Sequence, residues 1–249
     1  MSANLIAAVT SPGLTMREKL IVALDVSNAQ AARKLVSNIG DAAGLYKIGL
    51  QLFTAEGPGL VREFVSSGLK VFLDLKLHDI PTTVGHAVKS AAELGVSMLT
   101  VHASGGSDAL HAAVQAAGQQ LGILGVTVLT SFDDDDLAEI GAVDPVPGQV
   151  LRLAALARRT GCAGVVTSPR ETAQVRKSLG EGFAIVNPGV RPAGAGKDDQ
   201  ERTATPGAAI LAGATYIVVG RPITQAKDPA RAAEQIVLEM EQAQSSGLR

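Results

Sequence analysis

Residues 68–76 read GLKVFLDLK, and the order of residue types in this stretch decides the fold. A glycine turn leads into a short apolar run, and the run ends in charged residues. The same pattern of turn, apolar run and polar end occurs eight times, at 19–25, 44–50, 68–76, 95–103, 121–130, 162–168, 182–189 and 214–221. Ala-rich segments with helical spacing separate several of these runs, at 28–39, 57–68, 83–95 and 108–120. Eight strand-and-helix units in about 230 residues predict an α/β fold, a (β/α)8 TIM barrel.

An open, doubly wound sheet is the competing fold. Such sheets often carry a GxGxxG fingerprint after the first strand, whereas here the first run ends ALDVSNAQ (23–30). No linker or low-complexity stretch divides the chain. We therefore expect a single barrel domain over residues 17–249, preceded by a flexible N-terminal extension over residues 1–16.

The bulk properties exclude several classes of partner. The chain has 249 residues and a formal net charge of −2, which gives no electrostatic footprint for nucleic acid or for an anionic membrane. No run is long enough to cross a bilayer, and the first residues lack the basic region of a signal peptide. The single cysteine, Cys162, fits a reducing compartment and is expected to be a small buried side chain. We predict a cytoplasmic protein.

Three charged residues interrupt one of the most apolar stretches. Residues 72–81 read FLDLKLHDIP and contain Asp74, Lys76 and Asp79. A buried charge is costly unless it is paired. Side chains alternate faces along a strand, so Asp74 and Lys76 should share one face. If these charges are buried, they require partners of opposite charge. The spacing of Asp74 and Lys76 predicts that these two lie side by side.

The ends of the first two runs supply those partners. Asp25 ends the first run, and Lys47 lies in the second. Because barrel active sites lie at the carboxyl ends of the strands, we predict an alternating cluster of lysine and aspartate at one side of the barrel mouth. A structural ion-pair network without catalytic function is the alternative.

The far side of the barrel has the features of a phosphate site. The eighth run ends in Gly220 and Arg221, a turn that brings backbone N–H groups close to a ligand, followed by a planar fork of donors. Loops after strands seven and eight of such barrels often bind phosphate. The seventh loop (187–206) contains Arg191 and Gln200 and is long enough to close over a ligand.

The stretch FLDLKLHDIPTTV (72–84) resembles the signature D-x-K-x-x-D-I-P-x-T of the orotidine 5′-phosphate decarboxylase family. The resemblance covers almost the whole chain from Leu20. Its further matches, in order, are ALD (23–25), YKIGLQLF (46–53), VHASGG (101–106), VTVLTS (126–131), NPGVRP (187–192) and VVGRPIT (218–224). The resemblance implies decarboxylation of orotidine 5′-monophosphate to uridine 5′-monophosphate and CO2, the last step of UMP biosynthesis, with no cofactor and no metal.

The resemblance also implies a role for each member of the charged cluster. Lys76 should donate a proton to C6 of the pyrimidine, and Asp74 should lie beside the substrate carboxylate. Lys47 should bridge the ribose and the acidic cluster, and Asp79 should complete the catalytic set.

Substrate contacts carry over in the same way. Asp79, Ile80 and Thr83 should reach into the active site of the other subunit of a homodimer. The other implied contacts are Asp25 at the ribose, Thr130 and Ser131 near the pyrimidine, Pro188 lining its pocket, and Arg191, Gln200, Gly220 and Arg221 at the phosphate.

Three other functions stay open. Metal-dependent sugar-phosphate enzymes on the same barrel share D-x-K-x-x-D but use a glutamate near the second strand, for which Glu56 is the nearby candidate. A catalytically dead barrel that binds nucleotides would be expected to have lost Lys76 or Asp74, and both are present. An aldolase that forms a Schiff base through Lys76 or Lys47 is the third. The spacing of the four histidines fits no structural zinc site.

Overall fold

The computed structural model describes residues 13–192 and 204–247. Within these ranges, eight parallel strands close into a barrel in chain order, with β1 paired to both β2 and β8. Each strand lies within the run from which it was predicted, or within one residue of its end, which confirms the (β/α)8 fold. The strands are β1 (Leu20–Ala23), β2 (Leu45–Gly49), β3 (Val71–Leu77), β4 (Met98–His102), β5 (Gly122–Val126), β6 (Gly164–Val166), β7 (Ala184–Asn187) and β8 (Tyr216–Val219).

Helices surround the barrel, the longer ones on its outside and the short one at Arg221–Thr224 beside its mouth. They are α1 (Met16–Lys19), α2 (Ala29–Ile39), α3 (Leu50–Ser66), α4 (Pro81–Glu93), α5 (Gly106–Ala117), α6 (Asp134–Glu139), α7 (Val146–Arg159), α8 (Thr172–Leu179), α9 (Pro206–Leu211), α10 (Arg221–Thr224) and α11 (Pro229–Gly247). Short 3-10 turns at Gly40–Ala42 and Ala103–Gly105 complete the connections.

Helix α3 is longer than its sequence indicates. The segment predicted as helical, 57–68, is only the second half of α3, which begins at Leu50. Gly57 has a φ of 67°, and Pro58 follows it, so two helical pieces meet at a kink. A Gly-Pro pair normally marks a helix start, because proline has no N–H to donate to the preceding turn. This pair therefore predicted a helix start at residue 57, and the first half of the helix was not predicted.

The core has two parts, separated by the wall of the barrel. Alternate residues of β1 illustrate the division, because Ile21 and Ala23 pack inside the barrel while Leu20 and Val22 pack against the helices. The inner cluster also contains Phe72 and other large side chains, namely Leu45, Met98, Leu124 and Tyr216. These side chains fill the barrel interior, as in other TIM barrels.

The N-terminal residues that the structure describes are tied to the barrel. Thr15 and Glu18 form a reciprocal capping box at α1, Met16 is buried, and Leu14 packs against the inner cluster. Residues 1–12 of the predicted extension lie outside the described residues, so the domain boundary after residue 16 stays a prediction. In the part of the chain that is described, no helix combines the length and the apolar character needed to traverse a bilayer.

Strand β3 carries an irregularity where the charged residues begin. Its pairing with β4 jumps from Leu73↔Leu99 to Leu77↔Val101, so three residues of β3 lie opposite the single residue Thr100. This is a bulge, which bends a strand and re-aims its side chains. Lys76, within the bulge, has a φ of 49°, a left-handed conformation that is strained for any residue with a side chain.

Candidate active site

A cavity of about 520 Å³ opens at the carboxyl ends of the strands. Its wall from β1 to β3 is charged. Strands β5 and β6, across the barrel, contribute apolar side chains that include Val126 and Val166. The loop after β7 contributes Arg191, and the first residue of α10 contributes Arg221. The cavity therefore combines an ionic wall, an apolar wall and a cationic corner, which suits an anionic ligand with a partly apolar body.

The charged wall has the alternating order expected from the strand ends. The Lys47 Nζ atom lies 3.0 Å from Oδ1 of Asp25 and 3.5 Å from Oδ2 of Asp74. The Lys76 Nζ atom lies 2.9 Å from the same Oδ2. One carboxylate oxygen of Asp74 thus faces two ammonium groups, and all four side chains line the cavity.

Asp74 is ionised although it is buried. The residue is only 8% exposed, and burial by itself raises the pKa of its carboxyl group. The ammonium groups of Lys47 and Lys76, with hydrogen bonds from Lys76 and Thr100, outweigh this effect and hold the pKa below its ordinary value. At neutral pH the cavity wall therefore carries a fixed anion with two cations beside it.

Thr100 is a member of this cluster that the sequence reasoning missed. Its hydroxyl donates to Oδ1 of Asp74 over 3.0 Å and accepts from the backbone N–H of Lys76 over 2.8 Å. Thr100 lies in the interior of β4, two residues before the strand ends at His102, and it is neither a charged residue nor the end of a run, the two features on which the predicted site rested. A hydroxyl in the otherwise apolar segment MLTV (98–101) was the available signal.

Three predicted site residues lie outside the cavity. Asp79, Ile80 and Thr83 follow β3 at the start of α4, and all three are exposed to solvent. Ile80 is 66% exposed, and its N–H donates to Oδ1 of Asp79 over 2.7 Å. None of the three is among the described residues that line the cavity of their own chain.

The remaining predicted contacts divide between the cavity and its surroundings. Four of them line the cavity together with Arg191, namely Thr130, Pro188, Gly220 and Arg221. The backbone of Gly220 lies near the charged wall, because a Cβ atom placed on it would come within 3.9 Å of Oδ2 of Asp25. Ser131 is exposed and is not among the described lining residues. Gln200 lies outside the described residues.

The structure gives Glu56 a role in the fold. Its Oε1 accepts a hydrogen bond of 2.8 Å from the N–H of Ala29, the first residue of α2. An acidic side chain at a helix N-terminus satisfies a free N–H and interacts favourably with the helix dipole. Residues 13–192 and 204–247 contain no group of three or more His, Cys, Asp or Glu side chains placed to hold a metal ion.

Burial favours the neutral form of two further ionisable groups, His102 and Cys162. The ring centroids of His78 and His102 lie 5.3 Å apart. Burial lowers the pKa of His102, and electrostatic interactions with His78 and Lys76 add to the effect. Cys162 is buried, as expected, and burial raises the pKa of its thiol to about 11. A thiol with this pKa is a poor nucleophile at neutral pH.

Comparisons with known proteins agree with this architecture. Residues 18–236 match the family model described as "Orotidine 5'-phosphate decarboxylase / HUMPS family". The chain is 51% identical over 219 residues to the orotidine 5′-phosphate decarboxylase of Anaeromyxobacter sp. (strain K), covering 88% of this chain and 96% of the relative. It is 48% identical over 234 residues to the enzyme of the same name from Moorella thermoacetica, covering 90% and 93%.

A solved structure is similar over nearly its full length. The crystal structure of orotidine 5′-phosphate decarboxylase from Lactobacillus acidophilus superposes with a TM-score of 0.81 at 40% sequence identity, covering 89% of this chain and 98% of that chain. Sequence and fold thus agree over the whole barrel. The chain is an enzyme that belongs to the orotidine 5′-phosphate decarboxylase / HUMPS family.

Proposed function

We propose that this enzyme converts orotidine 5′-monophosphate to uridine 5′-monophosphate and CO2, the last step of UMP biosynthesis, and that it does so without metal or cofactor. The observation that carries the proposal is the sharing of one Asp74 oxygen by Lys47 and Lys76 at the cavity wall. This arrangement places a proton donor and a fixed anion side by side at the wall that would face the reacting end of the substrate.

The cationic corner is assigned to the phosphate. Arg191 and Arg221 line the cavity beside Gly220, and guanidinium groups match the oxygen geometry of a phosphate dianion. Asp25 and Lys47 lie between this corner and Asp74, in the place where the ribose hydroxyls would be bound. The pyrimidine then extends toward Lys76, with Thr130 and Pro188 beside it.

The chemical step is assigned to Asp74 and Lys76. The bond between C6 and the carboxylate breaks, CO2 leaves, and the electron pair stays on C6. The Lys76 ammonium stabilises this developing charge and then transfers its proton from Nζ to C6, which gives the product and a neutral amine that solvent reprotonates. Asp74, ionised beside the substrate carboxylate, disfavours the ground state more than the transition state, in which the carboxylate charge has moved.

The magnitudes favour electrostatics as the main source of catalysis. Uncatalysed reactions as slow as this one need a reduction of the barrier on the order of 20 kcal/mol. Two unit charges at ~4 Å interact by about 4 kcal/mol at an effective dielectric constant of 20. Several such interactions, arranged before the substrate arrives, supply a large part of that reduction. Contacts to the remote phosphate stabilise the bound state and offset the repulsion at the reacting end.

A direct assay tests the proposal. Purified protein is mixed with orotidine 5′-monophosphate, and loss of substrate is followed by ultraviolet absorbance, with and without EDTA. We expect equal turnover in both samples, because every assigned role belongs to a protein side chain. Borohydride added with substrate is expected to trap no adduct, since no Schiff base forms. A protein that leaves the substrate unchanged, or that loses activity in EDTA, would contradict the proposal.

We further propose that the enzyme is a homodimer whose active sites are shared. The exposure of Asp79, Ile80 and Thr83 supports this, because Ile80 is a large apolar side chain left in solvent next to the cavity strand β3. In a dimer with twofold symmetry, each subunit would place these residues in the other subunit's site. A location in the cytoplasm also stays a prediction.

Mixed dimers are expected to recover activity from two inactive parents. Lys76→Ala and Asp79→Ala are each expected to lose most turnover. In a mixed dimer, one site has both defects, while the other combines an intact Lys76 with an intact Asp79 from the partner subunit. After complete subunit exchange, about a quarter of all sites should be intact, because half of the dimers are mixed and each has one good site. Activity that never exceeds the mean of the parents would show that Asp79 does not act across the interface.

A further inference from the structure

Thr100 makes contacts that set it apart from other buried hydroxyl groups in the barrel. It is 0% exposed, and its hydroxyl bonds Asp74 and the backbone of Lys76, which are 26 and 24 residues away in the chain. Thr127 directly follows β5, the strand next to β4. Its hydroxyl donates a hydrogen bond of 2.8 Å only to the backbone carbonyl of Val166. Thr100 is thus connected to two residues that carry the proposed chemistry.

The proton positions in this chain of contacts are fixed. The Lys76 N–H can only donate, so the Thr100 oxygen accepts there. The hydroxyl proton then goes to Oδ1 of Asp74, which is ionised and can only accept. With Oδ1 occupied in this way, Oδ2 is the oxygen that serves both ammonium groups. Thr100 therefore holds one oxygen of the Asp74 carboxylate and leaves the other to the two ammonium groups.

The bulge in β3 explains why Lys76 needs this acceptor. Residues 74–76 lie opposite Thr100 alone, which takes the Lys76 N–H out of the regular ladder with β4. The left-handed conformation of Lys76 persists only if the surroundings hold it. The Thr100 hydroxyl supplies the hydrogen bond that the ladder does not, and it is buried where water does not replace it.

We propose that Thr100 is a positioning residue, whose hydroxyl holds Lys76 in its strained conformation and Asp74 in its orientation, so that Nζ is aimed into the cavity. Thr100 does not line the cavity, so it acts through these two residues and not on the substrate. The inference rests on the function proposed above, because it assigns Thr100 to the same proton transfer.

Three variants test the proposal, measured by steady-state kinetics well below the unfolding temperature. Thr100→Val keeps the volume and removes the hydroxyl. We expect kcat to fall about 10- to 100-fold, the loss typical of a misplaced catalytic group, while KM changes less than about 2-fold. Thr100→Ser restores the hydroxyl and is expected to recover kcat to within about 3-fold of wild type. The matched control is Thr127→Val, the same change at a buried hydroxyl that bonds a backbone carbonyl, and it should keep the wild-type kcat.

Each other outcome has a defined meaning. If Thr100→Val keeps kcat, if a folded Thr100→Ser does not recover it, or if Thr127→Val loses as much, the positioning role is wrong. If Thr100→Val does not fold, Thr100→Ala is compared with Thr100→Ser in the same way. Wild-type protein without activity on orotidine 5′-monophosphate would contradict the proposed function, whereas active wild type with an equally active Thr100→Val contradicts only this inference.

Discussion

Replacing Lys76 with alanine is expected to lower kcat by at least about 10⁴-fold, because the change removes both the proton donor and the charge that stabilises the carbanion. The ammonium lies 2.9 Å from Asp74, and among the described residues the cavity is lined by one other lysine, Lys47, which is bound to Asp25 and Asp74. Lys47 is already paired with these two carboxylates and lies on β2, whereas Lys76 lies on β3. Lys47 should therefore not take over the proton transfer. The measurement is loss of orotidine 5′-monophosphate by ultraviolet absorbance.

The control for Lys76→Ala is Lys177→Ala. Lys177 is an exposed lysine near the end of α8, on the outside of the barrel, so its loss should leave kcat unchanged. Far-ultraviolet circular dichroism would show that both variants are folded. If Lys76→Ala kept more than about one hundredth of the wild-type kcat while folded, proton transfer from Lys76 would be ruled out as the main catalytic step.

Replacing Arg221 with alanine is expected to lower kcat/KM by about 10³-fold. A guanidinium on a phosphate makes two charge-assisted hydrogen bonds, each worth about 1.5–3 kcal/mol, and one tenfold change corresponds to about 1.4 kcal/mol. Most of the loss should appear as a higher KM, since the phosphate is remote from the reacting carbon. Part should appear in kcat, because phosphate binding also holds the pyrimidine against the charged wall.

A substrate without phosphate separates this role from a general loss of structure. With the nucleoside orotidine, wild type and Arg221→Ala should react at the same low rate, because the contact that the variant lacks is absent from both reactions. Arg159→Ala, a change at the exposed last residue of α7, should behave as wild type with either substrate. An equal loss with orotidine and with its phosphate ester would show that Arg221 does not bind the phosphate.

Much of the site followed from where each apolar run ends. Asp25, Lys47, Asp74 and Lys76 were predicted to meet because parallel strands end at one side of a barrel, and the structure places them within 3.5 Å of their neighbours in the cluster. The position of Arg221 in the cavity followed in the same way from the eighth run. These features depend on local periodicity and on strand order, both of which can be read from the chain.

For Asp79 and its neighbours, the family resemblance predicts a position in an active site, while the structure places them outside the cavity of their own chain. The signature assigned Asp79, Ile80 and Thr83 to a site, yet within one chain they are exposed and outside the cavity. In the proposed dimer their contacts are made with a second subunit, so these contacts depend on an interface that no local sequence pattern specifies. The mixed-dimer experiment tests them directly.

The sequence by itself determined the eight strand runs, the charged residues at their ends and the glycine-arginine corner, because hydrophobic periodicity and turn residues act over a few neighbours. Only the tertiary structure decided the bulge in β3, the left-handed Lys76 and the hydrogen bonds of Thr100 to the Asp74 carboxylate and to the Lys76 backbone N–H. The physical reason is that a bulge depends on the register between two strands, and the partner of a buried charge depends on which side chain that register brings opposite it. Simple alternation predicted that Asp74 and Lys76 would meet, while the hydrogen bonds that fix them come from a residue about 25 positions away, which no local pattern specifies.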